Sequence, residues 1–296
     1  MQNAATRPDG RTLLAFSIVV VLLGVNFVAI RFSNAELRPF WGSAVRFAAA
    51  SAILFALAAA RRVPLPRGAA LQSAVLYGAL GFGVAYALVY WGILAVPSGV
   101  TSVVFASIPL TTFVMTLALR MEAYRVQGFL GAALALAGIA VISYEQVAGG
   151  IAVLPVAAVI VSSVAAAASI IIVKRAPKSH PLSTNAVAMA VGAAILFATS
   201  LAAGEPRATP GLIATWVALA WLVTSSVVAF ALYIWILKRW TASAASYQTV
   251  LSPLVTITVA LALVGEPVTG ALAGGTALVL AGLYVGSIWK PTQQPA

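Results

Sequence analysis

Long apolar runs alternate with short polar connections from one end of the chain to the other. Ten runs stand out, at approximately 12–32, 38–60, 70–93, 98–118, 125–144, 152–173, 182–203, 211–236, 242–264 and 268–289. At 1.5 Å per residue, about 20 residues of helix cross the roughly 30 Å of hydrocarbon in a bilayer. Inside the runs Ala, Leu, Val and Gly follow one another without the apolar and polar alternation of a membrane barrel. The pattern predicts an all-α integral membrane protein with ten transmembrane helices. The connections are too short to hold a soluble domain. Residues 1–11 contain Asp9 and lead into the first run without a small-residue cleavage site, so that helix is expected to be retained.

Composition agrees: 62% of the 296 residues are hydrophobic and 8% charged, with a mean hydropathy of +1.05. A net charge of +11 would suggest nucleic acid until the basic residues are placed by connection. One side of the membrane receives Arg7, Arg11, Arg61, Arg62, Arg67, Arg120, Arg125, Lys174, Arg175, Lys178, Lys238, Arg239 and Lys290, and the other only Arg38 and Arg207. The positive-inside rule then puts both termini in the cytoplasm and removes the case for nucleic acid. Trp41, Trp91 and Trp216 fall near outer span ends and Trp235, Trp240 and Trp289 near inner ones, as headgroup-level rings do. Trp221 lies deeper.

The chain also matches itself. An offset of 144 carries Pro109-Leu110 onto Pro253-Leu254, "AYALVYW" (85–91) onto "AFALYIW" (229–235), Ser102 onto Ser246 and Glu122 onto Glu266. The expected halves are residues 1–147 and 148–296, integrated in one transmembrane domain. Five spans per half is an odd number, so the second half must be inverted. Inverted repeats of this kind enclose a midplane site in many secondary transporters, and the expected architecture is two five-helix repeats around a central cavity.

Pro109 cannot donate to the Phe105 carbonyl, nor Pro253 to that of Thr249, so both helices are expected to kink near mid-membrane. Ser and Thr crowd both prolines, which suits the wall of a wet cavity; serines bonding back to their own backbone are the plainer alternative. Gly270-x-x-x-Gly274, Gly282-x-x-x-Gly286 and the trio Gly128, Gly131, Gly138 read as close helix packing, within the chain or between subunits.

Several chemistries lack parts. There is no cysteine, and the six acidic residues all fall in tails, connections or span ends. Glu122 and Glu266 stand where each half's last helix begins and read as caps of those helices. His180 is the only histidine and sits in a basic connection, so no metal site is expected. No cofactor and no enzymatic activity are expected, because no serine has a base beside it and no carboxylate pair exists.

One ionisable side chain lies inside a span. Arg46 either offers its two-pronged guanidinium to a substrate carboxylate, or snorkels outward or caps a neighbouring helix. Arg31, at the end of the first helix, leans to the latter. Phe82, Tyr86 and Tyr90 form one stripe, and Trp221, Phe230 and Tyr233 populate the repeat mate; such stripes either pack helices or line a cavity for a flat amphipathic solute.

"LLGVNFVAIRF" (22–32), "RPFWGSAVRFAAASAIL" (38–54), the mid-helix prolines and the Glu-then-Gly-rich endings at 122–138 and 266–282 together resemble the EamA type of the drug/metabolite transporter superfamily. Within it the chain looks most like bacterial aromatic amino acid exporters. The resemblance implies a helical basket around a cavity walled by the third, fourth, eighth and ninth spans. Asn26, Arg46, Tyr86, Tyr90, Ser102, Trp221, Tyr233, Ser246 and Gln248 are its implied substrate positions, with hinges at Pro109 and Pro253. Small multidrug relatives use a membrane-embedded glutamate in their first helix, where this chain has Asn26. The implied function is export of neutral, chiefly aromatic amino acids across a bacterial inner membrane, with facilitated diffusion fitting better than proton coupling. A multidrug efflux transporter and a membrane scaffold are the alternatives. The implied partners are a small-molecule substrate and the lipid bilayer; a monomer is compatible with all of this.

Overall fold

The computed structural model describes residues 10–121, 126–237 and 248–288, without the side chains of 230, 231, 233–235, 237, 249, 250, 287 and 288. All of the regular structure described is helical, as it must be where a bilayer offers backbone groups no water. The helices are α1 (Gly10–Ser33), α2 (Pro39–Ala60), α3 (Ala69–Gly92), α4 (Ser98–Ala118), α5 (Val126–Ala148), α6 (Val153–Arg175), α7 (Pro181–Ala202), α8 (Ile213–Leu237), α9 (Gln248–Val264) and α10 (Gly270–Leu283). A wide π turn, Tyr284–Ile288, continues α10. The first seven are long and apolar enough to cross a membrane. In the last three the qualifying stretches are shorter among the described residues, Ile213–Ala229, Leu251–Val264 and Gly270–Gly286.

Helix pairing carries the imprint of the repeat. Exchanging α1–α5 with α6–α10 turns the α1/α8 pair into α6/α3, α1/α9 into α6/α4 and α2/α8 into α7/α3, and all of these pairs exist. The pairs α2/α7, α4/α9 and α5/α10 map onto themselves. A two-fold axis lying across the bundle makes such self-mapped pairs antiparallel. In α2/α7, Trp41 packs on Phe197 while Ser51 Oγ donates to the Ala186 carbonyl at 2.9 Å, so one helix ascends as the other descends. The α5/α10 pair runs the same way, with Gly131 against Gly282 and Gly138 against Gly275.

That last contact is close. A Cβ on Gly131 would sit 2.5 Å from the Gly282 carbonyl oxygen, and one on Gly138 2.6 Å from that of Gly275. Gly270 and Gly274 have no neighbour within 4 Å, so the Gly275, Gly282 and Gly286 face of the helix does the packing and the first small-x-x-x-small pair does not. Gly131 and Gly138 thus meet the repeat mate within the same chain, while Gly128 faces Phe113 of α4. Gly131→Ala should lower stability by about 1–3 kcal/mol through overpacking against backbone, whereas Gly274→Ala should leave it unchanged. Thermal unfolding in detergent compares them.

Two departures from ideal helix bear on function. Within α3, Gly78–Val84 is a π-helical stretch, "GALGFGV", whose glycines let α6 and α7 approach. In α4 the helix is broken at Ser107 into Ser98–Ala106 and Ile108–Ala118. The first piece leans chiefly on α9 and also touches α1, α10, α6 and α5, while the second leans on α6 and α5. Pro109 falls in the first turn of the second piece, where its missing N–H has no ladder partner to lose. Pro253, its repeat mate, lies inside an unbroken α9. The two prolines are therefore handled differently.

Candidate functional site

Eight positions into α2 stands the one buried cation among the described residues. Arg46 is only 2% exposed, which removes snorkelling. Its Nε donates to Ser226 Oγ on α8 at 3.1 Å and its Nη1 to the Tyr90 hydroxyl on α3 at 3.2 Å. It caps no carbonyl among the described residues. The guanidinium carbon lies 4.9 Å from the Phe47 ring centre and 5.2 Å from that of Tyr86. Phe47 and Tyr86 meet edge to face at 4.5 Å, and Tyr86 packs on Phe82 and Tyr90. No described carboxylate pairs with the cation. A buried charge with only hydroxyl and ring partners is under-compensated, since desolvation costs several kcal/mol per ion.

The other positions expected from the sequence fall on α1, α4, α8 and α9. Asn26 Oδ1 accepts from Ser225 Oγ at 2.8 Å, joining α1 to α8 one residue from the Arg46 partner. Trp221 packs against the cluster that contains Tyr90 and Leu222, and its Nε1 donor is buried without a partner among the described residues. Gln248 Oε1 is likewise buried and unmatched. Such orphaned groups cost about 1–3 kcal/mol each and call for an explanation. Ser102 donates to the Gly99 carbonyl at 2.7 Å, so its hydroxyl is taken up by its own helix. Pro109 and Pro253 occupy α4 and α9. Ser246 and the side chain of Tyr233 lie outside the described residues, as does Glu122. Two cavities are described, one bounded by Tyr144, Glu145 and Ala271, another by Arg31, Asn34 and Val264, and Arg46 lines neither.

Sequence reasoning missed Ser226 and Phe47 as Arg46 neighbours and Ser225 as the partner of Asn26, although "TSSVV" in the middle of a span was a visible polar signal. It also misassigned Glu266. That carboxylate accepts from the amides of Ser98 at 2.9 Å and Gly99 at 3.1 Å, capping α4, and takes Arg31 Nη1 at 2.9 Å. The start of α10 is capped by Thr269 instead, whose Oγ1 accepts from the Leu272 amide and donates to Glu145. The helix start closest in sequence lost because Ser98 and Gly99 present free amides to a carboxylate already held near Arg31.

Two more carboxylates act across the halves at this same end, where α1 joins α2. Glu205, after α7, accepts from the Phe40 and Trp41 amides of α2 at 3.3 and 2.8 Å. Glu36, after α1, accepts from Gly211, Leu212 and the Thr215 hydroxyl at the start of α8. The Thr215 and Leu212 hydrogen bonds hold the Glu36 carboxyl below its ordinary value of 4.5. A depressed folded value means the contribution is present above the ordinary value and lost as pH falls through the depressed one. Glu36→Gln should therefore melt below wild type at neutral pH, with the gap closing under acid conditions in a pH series of thermal scans.

A profile of the EamA-like transporter family matches residues 10–144 and again 153–288. No curated protein matches. A solved structure described only as "Crystal structure of protein" is similar in fold, with a TM-score of 0.64 at 18% identity over 95% of this chain and 98% of that one.

Proposed function

The chain belongs to the EamA-like transporter family, and from that premise we propose that it exports neutral amino acids, chiefly aromatic ones, across a bacterial inner membrane by alternating access. Membership makes it a multi-pass membrane transporter of small molecules, and members of the family are transporters and not enzymes. The finer reading rests on Arg46. A buried guanidinium without a carboxylate partner among the described residues, walled by Phe47, Tyr86 and Tyr90, suits a ligand that brings a carboxylate and a flat apolar group. Trp221 and Gln248 supply an unmatched donor and acceptor for the rest of that ligand. Asn26 and Ser102 complete the proposed lining, with Ser246 and Tyr233 added from the resemblance alone.

In this reading halves 1–147 and 148–296 rock against each other, both termini face the cytoplasm, and the centre opens as α4 and α9 move about Pro109 and Pro253. Lipophilic cations, the cargo of the multidrug alternative, would meet a like charge at Arg46 and be repelled. The one carboxylate within a described span, Glu145, sits in the last turn of α5 and accepts from Thr269, away from mid-span, so this reading does not require a gradient. The test is flux of labelled phenylalanine, tryptophan and threonine in proteoliposomes with and without a pH gradient. Saturable flux insensitive to the gradient is expected. Absence of flux for all three, with transport of a lipophilic cation, would transfer the chain to the multidrug reading.

A further inference from the structure

We propose that the pocket at the α1–α2 end is a second binding station, where a solute carboxylate takes Arg31 away from Glu266 and so releases one of the ties between the two halves. The idea rests on the amino acid reading above and adds a site to it. The pocket measures about 340 Å³ and is walled by Phe32, Ile93, Leu94 and Val264, with Arg31 and Asn34 at its polar side. That is mostly apolar lining with a few convergent polar groups, at the lower end of the size range of small-molecule sites.

The polar side is arranged for exchange. Arg31 is 39% exposed and Glu266 10%, so the cation can turn toward the pocket while the carboxylate stays put. Glu266 also keeps the Ser98 and Gly99 amides when Arg31 leaves, so α4 remains capped. Asn34 Oδ1 has no partner among the described residues and can accept from a ligand ammonium, as can Glu266. The Asn34 Nδ2 donates to the Tyr90 carbonyl at 2.8 Å, and the Tyr90 hydroxyl accepts from Arg46. One residue therefore touches both cation sites. Arg31 belongs to α1 and Glu266 to the α9–α10 connection, so their ion pair ties the first half to the second. A carboxylate leaving Arg46 would find Arg31 next, and by binding there would release that tie.

Absence of cysteine makes the test direct, since Leu94→Cys, half-exposed on the pocket wall, carries the only thiol. Val264→Cys is the second reporter if the first does not fold. Labelling by a membrane-impermeant maleimide should slow about fivefold at four-fifths occupancy by phenylalanine. Phenylalaninamide, which lacks the carboxylate, should not slow it. Protection should vanish in Arg31→Gln and persist in Arg46→Met. Unchanged labelling in a protein that still transports phenylalanine would overturn the station and leave the amino acid reading standing, and loss of protection in Arg46→Met would reduce the two stations to one. A protein that transports no amino acid and shows no protection would lose both.

Discussion

Arg46→Met is expected to fold at least as well as wild type while export of carboxylate-bearing solutes falls about 100-fold, the equivalent of one or two lost charge-assisted hydrogen bonds. The two halves of that expectation have one cause. The guanidinium is out of water and, among the described residues, held only by Ser226, Tyr90 and the faces of two rings. Replacing an under-paired buried ion with an apolar chain of similar volume is often neutral or stabilising by about 1–4 kcal/mol. A residue retained at a cost to stability has its counter-charge elsewhere, and in a transporter the substrate is the candidate. Arg46→Lys sharpens the point: an ammonium keeps the charge but loses the planar fork and the ring contacts, so transport should recover only in part. Flux of phenylalanine against melting temperature in the three proteins separates the cases. If Arg46→Met both melts early and transports normally once folded, the arginine is a structural strut between α2, α3 and α8.

Alternation of apolar runs and charges was enough to place seven long apolar helices and three whose described apolar stretches are shorter, because lipid allows no other backbone arrangement. The 144-residue offset was equally legible, and the symmetric helix pairing follows from it. What the sequence hid was contact across long separations. Arg46 could be seen to lie inside a span, but its fate depends on Ser226, 180 residues away, and Tyr90, 44 away. Glu266 was read beside the helix it precedes and in fact serves one 167 residues earlier. The π-helical stretch at Gly78–Val84 could not be told from an ordinary glycine-rich turn of helix, since its cause is the close approach of α6 and α7.

Pro109→Ala should cut turnover at least about tenfold with little loss of folded protein, whereas Pro253→Ala should raise stability by as much as about 3 kcal/mol, the cost of a proline inside a helix. The local sequences are nearly twins, "SIPLTT" and "LSPLVT", yet their serines act differently. Ser107, two residues before its proline, donates both its amide and its hydroxyl to the Val104 carbonyl, at 3.2 and 2.6 Å, tightening the chain into a break. Ser252, directly before its proline, donates its hydroxyl to the Gln248 carbonyl at 2.8 Å and leaves the helix continuous. The α4 break lets one span lean chiefly on α9 with its first piece and chiefly on α6 and α5 with its second, although the first piece touches α6 and α5 as well. An alanine at 109 restores a donor that can close on the Phe105 carbonyl, and a straightened α4 would have to give up one of those two sets of contacts. Pro253 already sits in a helix, so an alanine there only adds the missing bond, and its effect on turnover reports whether α9 bends during the cycle. Initial rates and melting temperatures of both variants decide this. Wild-type turnover in Pro109→Ala would mean that the break at Ser107 is packing geometry alone, and the moving element would have to be sought between α3 and α8, where Tyr90 and Ser226 share Arg46.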